Sequence, residues 1–169
     1  MAQSYEEMDA IAMLKSDHRK VEELFEKFEQ TNGKATKQRL AEQICLELKV
    51  HTAIEEEVFY PACRGRIEDD LVNEAYVEHD SAKLLINEIE AGGPEEDFYD
   101  AKVKVLQEQI EHHVEEEEKS RGNLFQQARA SDVDLVALGE QMAARKAELM
   151  QLAETQGLPP AQPATMEAV

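Results

Sequence analysis

The chain has no tryptophan, two cysteines, five prolines and seven glycines among its 169 residues, and only nine phenylalanines and tyrosines. So few cysteines, without a CxxC pair, exclude a disulfide scaffold and a four-thiolate zinc site. Scarce aromatic and β-branched clusters give no purchase for a sheet. No apolar run approaches the roughly 18 residues of a membrane span. Basic residues are also in deficit: 18 Lys and Arg against 37 Asp and Glu leave a net charge of −19. A surface that acidic repels phosphate backbones and anionic lipid, so nucleic acid and membrane are poor partners. The start, MAQSYEEMDA, lacks the basic and apolar stretches of a secretion signal, which with the unpaired cysteines places the chain in the cytoplasm as an expectation.

What is abundant is Leu, Ala, Glu, Lys and Gln, the strong helix formers. Turn material falls at Thr31-Asn32-Gly33, Arg64-Gly65-Arg66 and Gly92-Gly93-Pro94, with a weaker break near Ala130-Ser131-Asp132. These breaks predict a short N-terminal helix around Asp9–Lys15 and then four long helices, about Asp17–Gln30, Lys34–Cys63, Glu68–Ala91 and Glu95–Arg129. Asp17 is the expected N-cap of the first long helix. An extra C-terminal helix follows at about Val133–Thr155, capped by Ser131 or Asp132. Short loops join the long helices, so the expected architecture is all-α: an antiparallel up-down-up-down four-helix bundle. Residues 1–156 form one domain with its core at 8–130, and 157–169, holding three of the five prolines, read as a disordered tail. The extra helix carries the stripe Leu135, Leu138, Met142, Leu149, suited to the bundle flank or a dimer partner, so monomer and homodimer both remain open.

The informative feature is polar residues inside apolar seams. The second long helix reads Leu40, Ile44, Leu48, His51, Glu55, Val58, Ala62 in unbroken steps of three and four. The fourth reads Tyr99, Val103, Leu106, Ile110, His113, Glu117. The first and third present His18 and His79 on seams with Val21, Phe25, Phe28 and with Val72, Ala75, Ala82, Ile86. At 1.5 Å per residue, His18, His51, Glu55 and His79 lie at similar depth, and His113 joins them if the first turns after Pro94 belong to the loop. Two inward carboxylates without Lys or Arg on their seams cannot both stay ionised in a dry interior. Two cations bridged by Glu55 and Glu117, with terminal histidines, would satisfy all six groups. Mixed imidazole and carboxylate donors suit iron, with zinc or manganese as substitutes. His112 falls one residue off the seam and reads as surface or outer layer; Tyr60 and Tyr76 read as packing residues.

The phrases DHRKVEELFEKFE, HTAIEEEVFYP, EHDSAKLLINEIE and HHVEEEE together resemble the hemerythrin-like (HHE cation-binding) family, with a pattern similar to the bacterial repair-of-iron-centres proteins. The resemblance implies a bundle around a non-haem di-iron centre. His18 and His51 would serve one iron, His79 and His113 the other, with Glu55, Glu117 and an oxo or hydroxo group as bridges. It implies a protein that binds or reacts with O2, NO or peroxide for sensing, iron handling or stress response, or a redox enzyme with catalase-like or nitric oxide reductase-like turnover. The oxygen carriers of that family use a fifth histidine where this chain has Ala75, so reversible carriage is not implied.

Overall fold

The structure, a computed structural model, describes residues 8–167. Residues 1–7, on which part of the leader argument rests, and the last two residues of the expected tail lie outside the described residues. The described residues contain helices and no strand. Helix α1 spans Ala10–Gln30 and α2 Lys34–Ile54, the latter running on through a π-helical turn at Glu55–Phe59 into α3, Tyr60–Cys63. Then come α4 at Asp69–Ala91 and α5 at Tyr99–Val114, which ends in a second π turn at Glu115–Lys119. Short α6, Leu124–Ala130, precedes α7, Leu135–Thr155. Helices α1, α2, α4 and α5 form the four-helix bundle, and α7 lies against α1 and α2.

Several boundaries depart from the expected ones. The separate helix ahead of Asp17 does not exist: α1 is continuous from Ala10, and its N-cap is Asp9, whose carboxylate accepts from the Ala12 amide at 2.8 Å. Nothing between Lys15 and His18 breaks a helix, and Asp17 is buried in mid-helix with other work. The fourth long helix starts at Tyr99 rather than Glu95, because Pro94 to Phe98 form turns, which brings His113 to the level of the other histidines. It also stops at Lys119. Gly122, at φ 69°, turns the chain, and Asn123 caps α6 by accepting from the Gln126 amide at 2.9 Å. The cap of α7 is Asp134, accepting from the Ala137 amide at 3.0 Å, and neither Ser131 nor Asp132.

The core is built in two apolar halves. One gathers Leu24, Phe28, Ile44, Ile86 and Leu106; the other gathers Leu14, Ile54, Phe59, Val72 and Phe125. Helices α1, α2 and α4 contribute to both halves with their inward polar residues between them, whereas α5 packs in the first half and α6 takes its place in the second. Met142 of α7 is fully buried against the second half, and Gly139 lets the α7 backbone approach the Met8–Ala10 turn so closely that a Cβ would meet the Met8 carbonyl at 2.5 Å.

Residues 157–167 are no loose tail. They run extended along α4, where Asp80, wholly buried, accepts from the amides of Ala164, Thr165 and Met166 at 2.7, 2.6 and 3.0 Å and from the Thr165 hydroxyl at 2.6 Å. Asn87 pairs both ways with Ala161, and Lys83 donates to the Gln162 carbonyl at 3.0 Å. Three prolines limit the freedom of the unbound chain, and a polar row on α4 satisfies the backbone amides that a helix or strand would otherwise satisfy. Replacing Asp80 by Ala strands these donors. The expected outcome is a loss of about 2 kcal/mol in urea unfolding together with new proteolytic cleavage within 157–167 of the otherwise folded chain.

Candidate metal centre

The six seam residues meet in one buried layer. Their donor atoms form two overlapping groups, His18, His51, Glu55 and Glu117, and Glu55, His79, His113 and Glu117, with all atoms of each group within 4.8 Å of one another. Glu55 and Glu117 belong to both groups. His18 Nε2 and His51 Nε2 face each other at 3.1 Å, and so do His79 Nε2 and His113 Nε2. Glu55 Oε1 closes on His51 Nε2 and Glu117 Oε1 on His113 Nε2, each one helical turn away, while Glu55 Oε2 lies 3.5 Å from His79 Nε2.

The π turns follow from this position. One begins four residues past His51 and the other two residues past His113, and each contains the site glutamate. The extra residue per turn re-aims the carboxylate, so that Glu55 and Glu117 both point to the middle of the layer rather than along the helix surface.

A second ring of carboxylates holds the imidazoles. Asp17 Oδ2 accepts from His51 Nδ1 at 3.1 Å, Glu78 Oε1 from His113 Nδ1 at 3.0 Å, and Glu118 Oε2 from His18 Nδ1 at 3.3 Å. Glu56 Oε1 lies 3.4 Å from His79 Nδ1. A carboxylate at Nδ1 places the proton there and leaves the Nε2 lone pair turned inward, which is how metal-binding imidazoles are oriented. Cations stand behind this ring: Lys146 against Asp17, Lys83 against Glu56 and Arg19 against Glu118, with His112 Nε2 3.3 Å from Glu78.

The arrangement repeats. Asp17-His18 pairs with His51 and Glu55-Glu56 as Glu78-His79 pairs with His113 and Glu117-Glu118. In both halves the acid before one histidine holds the histidine of the neighbouring helix. The acid after each glutamate faces the first histidine of the other half. None of Asp17, Glu56, Glu78 and Glu118 is singled out as functional by the sequence, where Asp17 reads as a helix cap. The signal was available as a doubled acid-His and His-x-x-x-Glu-Glu pattern.

Tyr60 was assigned to packing but reaches the layer. Its hydroxyl donates to Glu117 Oε1 at 3.3 Å and lies 3.2 Å from His79 Nε2. Burial, with Glu117 and Glu55 adding negative charge, raises its pKa well above the usual phenol value and keeps it a proton donor. Tyr76 stays outside, donating to the Glu56 carbonyl at 3.2 Å. In the other half the chain has Gly122 in its turn, and Phe125 stacks on His18 with ring centres 5.9 Å apart.

The charges do not balance among these residues alone. Burial disfavours ionisation of His51, but Glu55 and Asp17 outweigh it and raise the pKa to about 10. Burial likewise opposes the charge on His113, and Glu117 and Glu78 reverse that, raising it well above the ordinary value. Burial would raise Glu55, yet His51 and His79 hold it well below the usual carboxylate range. Both oxygens of Glu55 and Oε2 of Glu117 are buried without a hydrogen-bond partner among the described residues. Each facing Nε2 pair can share only one proton. Metal cations fit all of these demands: they accept inward lone pairs, satisfy the orphaned oxygens and replace protons.

The model of the hemerythrin HHE cation-binding domain matches residues 9–121. The chain belongs to the hemerythrin HHE cation-binding family. A protein described as a DNA nickase from Nostoc sp. (strain PCC 7120) is 30% identical over 115 residues, covering 68% of this chain; the chain spans 33% of that relative's length. The crystal structure of an HHE cation-binding domain-containing protein from Mycobacterium kansasii, an Rv2633c homologue, superposes with a TM-score of 0.73 at 23% identity, covering 89% of this chain and 95% of the other. That likeness is one of fold. The family is one of cation-binding domains, and the histidine and glutamate groups described above are those that could hold a metal ion.

Metal binding should release protons. His51 and His113, both raised above neutrality, hold protons at pH 7 that a metal at Nε2 must displace. Adding ferrous or zinc ions to metal-free protein at pH 7 in weak buffer should liberate about two protons per fully loaded chain. Affinity should fall steadily as the pH is lowered below 7, measured by competition with a chromophoric chelator.

Proposed function

We propose that this chain is a non-haem di-iron protein that binds or reacts with a small ligand, O2, NO or peroxide, in sensing, iron handling or stress response. The observation that carries the reading is the sharing of Glu55 and Glu117 by both donor groups. Two carboxylates common to two histidine pairs make one paired centre rather than two independent sites. Histidine and carboxylate donors together suit iron, with zinc and manganese as possible substitutes. Bound iron would supply redox-active Lewis-acid chemistry with coordination positions left open to a ligand.

The protein's own contribution is shape and proton supply. On the histidine side the layer borders a cavity of about 10 Å³, lined by Val21, Leu48, Ile110 and Val114 beside the four imidazoles. That is room for one water-sized molecule. Its apolar walls favour a neutral diatomic over a charged or larger substrate. On the other side Tyr60 holds a proton within hydrogen-bond reach of Glu117. This buried donor also supports a second reading, a metal-dependent redox enzyme with catalase-like or nitric oxide reductase-like turnover, because both reactions consume protons.

No helix among the described residues is long and apolar enough to cross a membrane. A cytoplasmic protein acting as monomer or homodimer is part of this proposal. Nucleic acid is not: a net charge of −19 opposes a phosphate backbone, and the nickase relative extends far beyond the segment shared with this chain.

Protein expressed in iron-replete medium should carry two irons per chain and show visible bands that bleach on anaerobic reduction and change on exposure to O2, NO or peroxide. A full zinc complement, or no spectral response to any of the three, would defeat the reading. Glu55→Ala and Glu117→Ala should each abolish the paired centre, seen as loss of magnetic coupling and of most bound metal. Retention of two coupled metals in either variant contradicts the sharing of that carboxylate. Steady peroxide or nitric oxide consumption well beyond the metal content separates the enzyme from the sensor, and Tyr60→Phe should slow it about a hundredfold, the lower end of a general-acid contribution.

A further inference from the structure

Helix α7 lies outside residues 9–121 matched by the family, yet it places a cation at the back of the centre. Its inward stripe runs Leu138, Met142, Lys146, Leu149, with a lysine where an apolar residue would be expected. Lys146 Nζ lies 2.5 Å from Asp17 Oδ1, and the other oxygen of the same carboxylate accepts from His51 Nδ1 at 3.1 Å. One carboxylate therefore spans an α7 cation and a histidine of the metal layer.

The other groups behind this outer ring differ in weight. Arg19, behind Glu118, is 48% exposed, and His112, behind Glu78, is 67% exposed, so solvent screens both. Lys83, behind Glu56, is buried but also faces Asp80, 3.5 Å away. The side chains of Lys146 and Asp17 are only 11% and 4% exposed. Their charges act through protein, where the effective dielectric is low.

We propose that Lys146, acting through Asp17, is a positioning residue that sets how strongly His51 donates to the metal held on the His18–His51 side. The inference rests on the metal-centre reading given above. A carboxylate at Nδ1–H draws on that proton and makes Nε2 a richer donor. A cation on the far side of the carboxylate withdraws negative charge and weakens that pull. Lys146 thus lowers the donor strength of His51, and removing it raises that strength. Removing the charge of Asp17 does the opposite.

The opposed signs separate electronic tuning from mere support. In iron-loaded full-length chain, Lys146→Met should shift the midpoint potential downward, Asp17→Asn should shift it upward, and Lys146→Arg should stay at the wild-type value. Shifts of K146M and D17N in the same direction, or an unmoved potential in K146M, would overturn the proposal. A readout free of metal runs beside it. In metal-free chain the hydrogen-bonded His51 Nδ1–H proton resonance should move downfield in K146M and upfield in D17N, with that of His113 unmoved. If the wild-type chain takes up no iron, the metal reading fails, and this resonance still decides the Lys146–Asp17–His51 coupling: a downfield shift in K146M upholds it, and an unchanged position rejects it.

Discussion

Two carboxylates in the driest layer of the bundle govern everything around them. Glu55 and Glu117 are essentially fully buried, each closing on the histidine one turn before it in the chain. Isolated charges of that kind cost several kcal/mol each. The protein meets them with imidazoles, and the imidazoles in turn with a second ring of acids, itself backed by lysine and arginine. Charge alternates outward from the middle, so each shell makes the one inside it tolerable. The innermost shell is the exception, with carboxylate oxygens that no described residue satisfies. That imbalance sets the layer apart from a structural polar network, in which every member finds a partner.

The two apolar halves keep this layer in register. Apolar side chains of α1, α2 and α4 interlock on both sides of it, joined by α5 on one side and α6 on the other, so a slip of any helix by one turn would separate its histidine from the facing Nε2 and leave polar atoms against leucine and phenylalanine. The π turns add the last adjustment, one extra residue in each of the two helices that carry a glutamate. Outside the bundle, α7 and the strap at 157–167 meet the same network from behind, α7 through Lys146 on Asp17 and the strap through Gln162 and Asp80 on Lys83. The centre is therefore tied to parts of the chain that lie far from it in sequence.

The bundle, its helix count in the core and the convergence of six donor side chains were legible in sequence because periodicity reports burial directly. A histidine at a seam position such as His51 must face inward whatever its neighbours do. Capping was less legible. Asp17 has the chemistry of an N-cap, and only the continuous helix from Ala10 shows that its carboxylate serves His51. The tail was misread for a related reason. Proline content and lack of period describe the chain by itself, and cannot register a complementary row of Asp80, Lys83 and Asn87 on another helix.

By itself the sequence determined the all-helical class, which residues turn inward, and that carboxylates and imidazoles would share an interior; these depend on propensity and on a 3.6-residue period, both local properties. Only tertiary structure decided which acid holds which imidazole, that Tyr60 joins the layer while Tyr76 does not, and that a lysine from α7 stands behind His51. Those contacts pair residues 19 to 129 positions apart. Distances of that kind are set by how helices cross and where π turns fall, and no local pattern encodes either.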